Sequence, residues 1–209
     1  MNIEIKHAET KKVLFSGKYA NIKEAVRQAI VADVNLTGAD LIGFNLSGAD
    51  LSGADLSRCV LSRCNLSKCN LSGVNLFNAN LIGSTLSGAM LTGAYLTGVD
   101  LFGSNLSYVS LTKANLSGAR LSYDNLTGAD LSYANLSCAT LFKAGLIKAN
   151  LTSADLSFAN LTEADLTEAD LSYAKFTRAN LSDAKLSKAN LTNTSLTKTN
   201  LTGVALLWA

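Results

Sequence analysis

Three cysteines, Cys59, Cys64 and Cys69, fall five residues apart. Such a group would suit a thiolate-bound metal or a redox pair. A second set, Ser84, Ser104 and Asp124, is spaced by twenty and contains the residue types of a hydroxyl nucleophile and its acid. Each set lacks a partner. A tetrahedral zinc site needs a fourth ligand, with sulfur about 2.3 Å from the ion, and the only histidine, His7, stands near the start of the chain. A serine nucleophile needs an adjacent base and an oxyanion site, and the single histidine is again out of place. The sequence also has no glycine-rich phosphate loop of the P-loop or dinucleotide type. The expectation is a non-enzymatic protein with no metal and no cofactor.

The elements that must position these residues are set by one periodicity. From position 36 to position 206 every fifth residue is Leu, except Phe176, giving thirty-five consecutive units of five. A helix turns a net of about 140° over five residues and would spread these leucines around its whole surface. A flat strand fails too, because five is odd and successive leucines would alternate faces. The spacing fits a chain that turns about a right angle at each unit, so that four units close a square coil of twenty residues with each Leu pointing at the axis. The residue two before each Leu is small, mostly Ala, and forms a second inward slot. Asn or Asp just before the Leu, Ser or Thr just after it, and the variable residue next, often Gly, point outward or supply turn chemistry.

A twenty-residue coil predicts that outward charges twenty apart lie about 4.8 Å from each other and complement one another. Asp100 and Arg120, Asp155 and Lys175, Asp165 and Lys185, Lys143 and Glu163, and the ladder Lys148, Glu168, Lys188 agree, against the like pairs Glu163 with Asp183 and Arg178 with Lys198. The units resemble the pentapeptide-repeat family, whose A(D/N)LXX motif is written here as ADLSG (49–53), ANLTE (159–163) and ADLTE (164–168). The resemblance implies an all-β solenoid, a right-handed quadrilateral β-helix, over residues 34–209. It also raises one alternative function, since some acidic members of the family resemble duplex DNA and modulate DNA gyrase.

Composition weighs against that alternative. Residues 36–209 carry twelve Lys/Arg and twelve Asp/Glu, so the body is neither an acidic mimic of DNA nor a basic phosphate-binding surface. No direct nucleic-acid binding is expected. The opening MNIEIKHAETKK has no long apolar run, so neither a signal peptide nor a membrane span is expected. A cytoplasmic setting, in a bacterial or phage-infected cell, follows as an expectation, with the cysteines reduced.

The first coil needs a cover. Residues 1–20 read as a β-hairpin, with strands over 2–7 and 11–19. Residues 21–33 read as a capping helix, opened by Asn21 and Glu24, whose apolar face is Ile22, Val26, Ala29 and Ile30. This leader looks like that of bacteriophage-encoded members of the family. At the other end, Leu206, Leu207 and Trp208 either fold over the last coil or meet a second copy across a two-fold axis.

The departures from the repeat are the remaining signal. Cys59, Cys64 and Cys69 occupy the small inward slot, where Cys behaves as a small hydrophobe; Cys138 sits outward and should be the reactive thiol. Asp124 is the sole charge in the inward slot, expected to be satisfied by the hydroxyl below it and nearby amides. Phe44 also fills a small slot, beside the leader. After each Leu the residue is Ser or Thr almost everywhere, but Ile42, Ile82, Phe102 and Phe142 stand in one vertical line, interrupted by Ser62 and Ser122. Phe77 and Ile147 fall on adjoining sides, and Tyr95, Tyr108, Tyr123 and Tyr133 add aromatic surface. A column of four apolar residues along one face reads as a contact surface for an unidentified protein partner or a second copy. The expected role is a rigid protein-interaction scaffold.

Overall fold

Each five-residue unit builds one side and one corner of a coil, and the computed structural model describes residues 1–206 of this arrangement. The unit Asn115–Ala119 shows how the backbone is satisfied. Leu116 N–H donates to the Asn135 carbonyl at 2.7 Å and Gly118 N–H to Ser137 at 2.9 Å, both on the next coil, while Asn115 N–H donates back to Ala94 at 2.9 Å. Ala119 N–H closes the corner on the Leu116 carbonyl at 3.0 Å. The remaining donor, Ser117 N–H, is taken by Oδ1 of Asn115 at 3.1 Å. That last bond explains the Asn/Asp preference: only a short side-chain oxygen reaches two residues forward to cap the corner.

The coils stack in parallel with a register of twenty residues, from Asp40 against Val60 to Lys185 against Ala205. Leucines and small residues are almost fully buried along the axis, and Phe176 replaces a Leu without becoming exposed. Ion pairs form across coils at Arg120–Asp100 (2.8 Å), Lys143–Glu163 (3.2 Å), Lys148–Glu168 (3.5 Å) and Lys185–Asp165 (3.5 Å). The expected pairs Asp155–Lys175 and Glu168–Lys188 are not among the ion pairs of the described residues. Glu168 is held instead by Lys148, and Asp155 accepts from Ser157 N–H at 2.9 Å; exposed pairs of this kind are worth only tenths of a kcal/mol.

The variable position of each unit is left-handed throughout. Every such residue from Gly38 to Gly203 has positive φ, including Lys, Arg, Glu, Tyr and Phe at about 55° to 64°. Left-handed backbone costs a non-glycine residue about 1 kcal/mol, and the corner imposes it because the turn must present three N–H groups to three different acceptors.

The leader consists of β1 (Asn2–Lys6), β2 (Val13–Lys18) and α1 (Ile22–Val31). β1 and β2 pair antiparallel, and the chain beyond β1 is stitched onto the first coil: Asp40 N–H donates to Lys6 at 2.7 Å and Ala8 N–H to Gly38 at 2.8 Å. Oδ1 of Asn21 accepts from Glu24 N–H at 2.9 Å and Oε2 of Glu24 from Ala20 N–H at 2.9 Å, a reciprocal cap shifted one residue outward. α1 buries Ala25, Val26 and Ala29 against the coil, with Ile22 and Ile30 partly buried beside them. Phe44 is only partly buried, next to β1 residues Asn2, Glu4 and Lys6. At the opposite end Leu201 and Leu206 are exposed. Leu207 and Trp208 lie outside the described residues.

Candidate functional site

The inward polar residues obey one rule. Sγ of Cys59, Cys64 and Cys69 donates to the carbonyls of Leu36, Leu41 and Leu46 at 3.0, 2.8 and 3.0 Å. The hydroxyls of Ser84, Ser104, Thr194 and Thr199 do the same to Leu61, Leu81, Leu171 and Phe176, at 2.6 to 2.9 Å. In each case the acceptor is the carbonyl twenty-three residues earlier, so a small slot accepts a hydroxyl or thiol without leaving it unpaired. Burial pushes the Cys59 thiol up to about 12, outweighing the nearby backbone donors, which makes it a poor nucleophile and a poor metal ligand. Among the described residues no group of His, Cys, Asp and Glu is arranged to hold a metal ion.

Asp124 departs from the expectation. The Ser104 hydroxyl does not reach it, being committed to Leu81; instead Oδ1 accepts from Ser104 N–H at 2.7 Å and Oδ2 has no partner. The side chain is 2% exposed. Burial is the main cause of a carboxyl pKa raised to about 8, with Ser104 N–H opposing and the Asp100 charge adding to it. Below Asp124 the same bond repeats, Ser84 N–H to Ser104 Oγ at 3.2 Å and Cys64 N–H to Ser84 Oγ at 3.3 Å. The result is an internal polar ladder with no solvent access and no base beside the hydroxyls, which is an arrangement for holding backbone donors rather than for reaction.

The outer surface differs. Ile42, Ile82 and Phe102 are 50%, 38% and 41% exposed on one corner, and Phe142 is partly exposed above them. The gap at Ser122 is closed by Tyr123, which stands in the same corner and packs edge-on against Phe102 at 5.3 Å and Phe142 at 5.4 Å between ring centres. Ring pairs of this geometry add about 0.5 to 1.5 kcal/mol to their buried area. Lys143 lies over the Phe142 ring at 5.1 Å and is also paired with Glu163. Lower down, the Arg63 stem leans toward Gly83, within 3.9 Å of where a β-carbon would sit. Tyr123 as part of this line escapes a reading that follows only the position after Leu. Its signal is diagonal: it stands twenty-one residues after Phe102 and nineteen before Phe142. The other aromatics stand apart: Phe77 and Tyr95 share a different shallow groove, and Tyr108 lies across Gly128.

A stack of four-sided coils built from A(D/N)LXX units, with its Leu and small residues inward, defines the class. Residues 32–67, 69–107, 110–146, 144–183 and 174–209 match the family of pentapeptide repeats, in 8 copies. The chain belongs to the pentapeptide-repeat family.

Among solved structures, HetL, a pentapeptide repeat protein involved in heterocyst differentiation regulation from the cyanobacterium Nostoc sp. strain PCC 7120, is 33% identical. The match covers 89% of this chain and 97% of that one, with a TM-score of 0.31. Rfr23, a pentapeptide repeat protein from the cyanobacterium Cyanothece 51142, is 36% identical over 44% of this chain and 60% of that one, with a TM-score of 0.37. The plasmid-mediated fluoroquinolone resistance protein QnrB1 is 23% identical over 80% of this chain and 91% of that one, with a TM-score of 0.44. No curated protein matches the chain.

Proposed function

We propose that the protein is a non-catalytic scaffold that docks another protein on a rigid corner, the line Ile42, Ile82, Phe102, Tyr123 and Phe142. The observation that carries this reading is the edge-to-face ladder Phe102–Tyr123–Phe142 on the surface. Exposed aromatics held in a fixed geometry by a β-solenoid lose little entropy on binding and are typical interface anchors. The polar inward residues, by contrast, are consumed by the fold. Capture by immobilised wild type and by a Phe102→Ser/Phe142→Ser variant is the test. A protein retained only by the wild type supports the reading, whereas identical captures by a wild-type chain that also stays monomeric remove it.

The alternative raised by the family, a DNA-like modulator of gyrase, needs a continuous acidic surface. Here acidic residues alternate with cations along the coils, as at Asp100–Arg120 and Asp165–Lys185, so addition of the protein should leave gyrase supercoiling unchanged. On the same reading the protein works in the cytoplasm of a bacterial or phage-infected cell, for which the form of the leader is the support.

A further inference from the structure

We infer that the partner docked on this corner is a second copy of the chain, laid antiparallel against the first with the two-fold axis at the level of Tyr123. The inference rests on the reading of the corner as a contact surface and names its occupant.

Positions twenty residues apart lie one coil apart. A two-fold axis crossing the rod at the level of Ser122 and Tyr123 therefore exchanges residues at equal distances on either side of them, and the contact is isologous, each pairing occurring twice. Phe102 and Phe142 are equidistant from Ser122, so Phe102 of each copy meets Phe142 of the other, with the two Tyr123 rings between them. Three coils out on either side are Arg63 and Asp183. Both are exposed, and neither joins an ion pair within the described residues. Across the axis Arg63 of one copy faces Asp183 of the other, so the two charges left without partners on this corner complete each other.

The bulky charged residues between them meet no obstacle. Lys143 comes opposite Gly103 and Glu163 opposite Gly83, glycines whose missing side chains leave open space at Gly103 and only the Arg63 stem near Gly83. On one adjoining side Lys185 meets Asn65, Asp165 meets Thr85, and Asn125 meets itself; on the other, Asp100 meets Thr140 and Arg120 comes opposite its own copy, each Arg120 already neutralised by Asp100 at 2.8 Å. A specific dimer buries about 800 Å² per partner, so along a rod about 40 Å long the sides flanking the corner join the contact.

Cross-linking and charge exchange test the arrangement. In a Cys138→Ser background, Ser122→Cys should cross-link to itself through a short bismaleimide. Ser62→Cys and Ser182→Cys should each fail alone and succeed when mixed. In sedimentation velocity, Arg63→Asp or Asp183→Arg should each weaken the dimer about tenfold, and the double variant should restore it. Cross-linking of Ser62→Cys to Thr162→Cys in place of Ser182→Cys would move the axis and overturn this pairing. A wild type that stays monomeric at tens of micromolar, or a dimer indifferent to both charge reversals, would overturn the inference. Loss of a captured protein in the Phe102→Ser/Phe142→Ser variant of a monomeric chain would leave the docking reading standing with a different occupant.

Discussion

Asp124 offers the sharpest test of the physical account, because its cost depends on pH in a calculable way. Its carboxyl, ordinarily at 3.8, is raised to about 8 in the folded chain by burial. Between those values the unfolded chain has released the proton and the folded chain still holds it, so folding must recapture a proton and stability falls as pH rises. The contribution is most favourable below the unfolded value and is lost progressively until pH passes the folded value. At about 1.4 kcal/mol per pH unit, the loss between pH 4 and pH 7 is at most about 4 kcal/mol. Relaxation of the coil around the charge would reduce it to roughly 2 to 4 kcal/mol.

Asp124→Ala removes the titrating group and should therefore stabilise the protein, with a benefit that grows from near zero at acid pH to its maximum at about pH 8. Asp124→Asn should show the same dependence on pH while keeping the shape of the side chain. Guanidinium unfolding of wild type and variants across this range is the assay, and the difference between them is the quantity to plot. The difference matters because other carboxylates titrate in the opposite sense. Asp170, held below the usual range by the N–H and hydroxyl of Ser172, loses its contribution as pH falls, but it does so equally in both proteins. A difference that is flat with pH would show that Asp124 is not neutral in the folded chain. A lower stability of Asp124→Ala at about pH 8 would show that the Ser104 N–H bond outweighs the burial of the carboxyl.

Two further predictions follow from the coil geometry. A thiol reagent should modify Cys138, the exposed cysteine, within seconds to minutes, and should reach buried Cys59, Cys64 and Cys69 only on unfolding; four fast thiols would contradict the inward placement. Gly53→Ala adds a β-carbon at φ +66 with nothing within 4 Å and should cost only the backbone term, about 1 kcal/mol. Gly38→Ala adds the same term at φ +70, where its β-carbon would lie 2.5 Å from Nε2 of His7. It should cost more and raise hydrogen exchange selectively at Ala8 and Asp40, which tie the leader to the first coil.

Much of the fold was legible because a Leu at every fifth position admits few backbone solutions, and the charge complement at a separation of twenty pointed to a four-sided coil. The placement of Cys59, Cys64 and Cys69 followed from the same counting. What escaped was conformational or diagonal. The left-handed backbone at Lys113 or Glu163 is not marked by those residues themselves; its signature is the glycine that recurs at the same position of other units, and the corner imposes it from the hydrogen bonds on either side. The unpaired Oδ2 of Asp124 escaped as well, since residue counting places Ser104 beneath it but says nothing of the Leu81 carbonyl that claims the hydroxyl. Ala25 joined the buried face of α1, being apolar enough to bury yet too small to mark the pattern.

The departures from the repeat divide by which side of the wall they occupy. Inside, a thiol or hydroxyl in the small slot always finds the carbonyl twenty-three residues earlier, so Cys59 or Ser84 can replace Ala with no consequence beyond local packing. Only a carboxyl fails that rule, because it must keep its proton to act as a donor, and this isolates Asp124 as the one inward residue whose presence depends on solution conditions. Outside, the fold requires nothing of the position after Leu, and Ser or Thr satisfies it nearly everywhere. Phe102 and Phe142 stabilise their own rod through Tyr123, yet they leave apolar surface in solvent that the coil itself does not need. The equal spacing of Phe102 and Phe142 about Ser122, matched by that of the unpaired Arg63 and Asp183 about Tyr123, exceeds what the ring contacts of a single rod need and acquires a role when two rods cross the same axis.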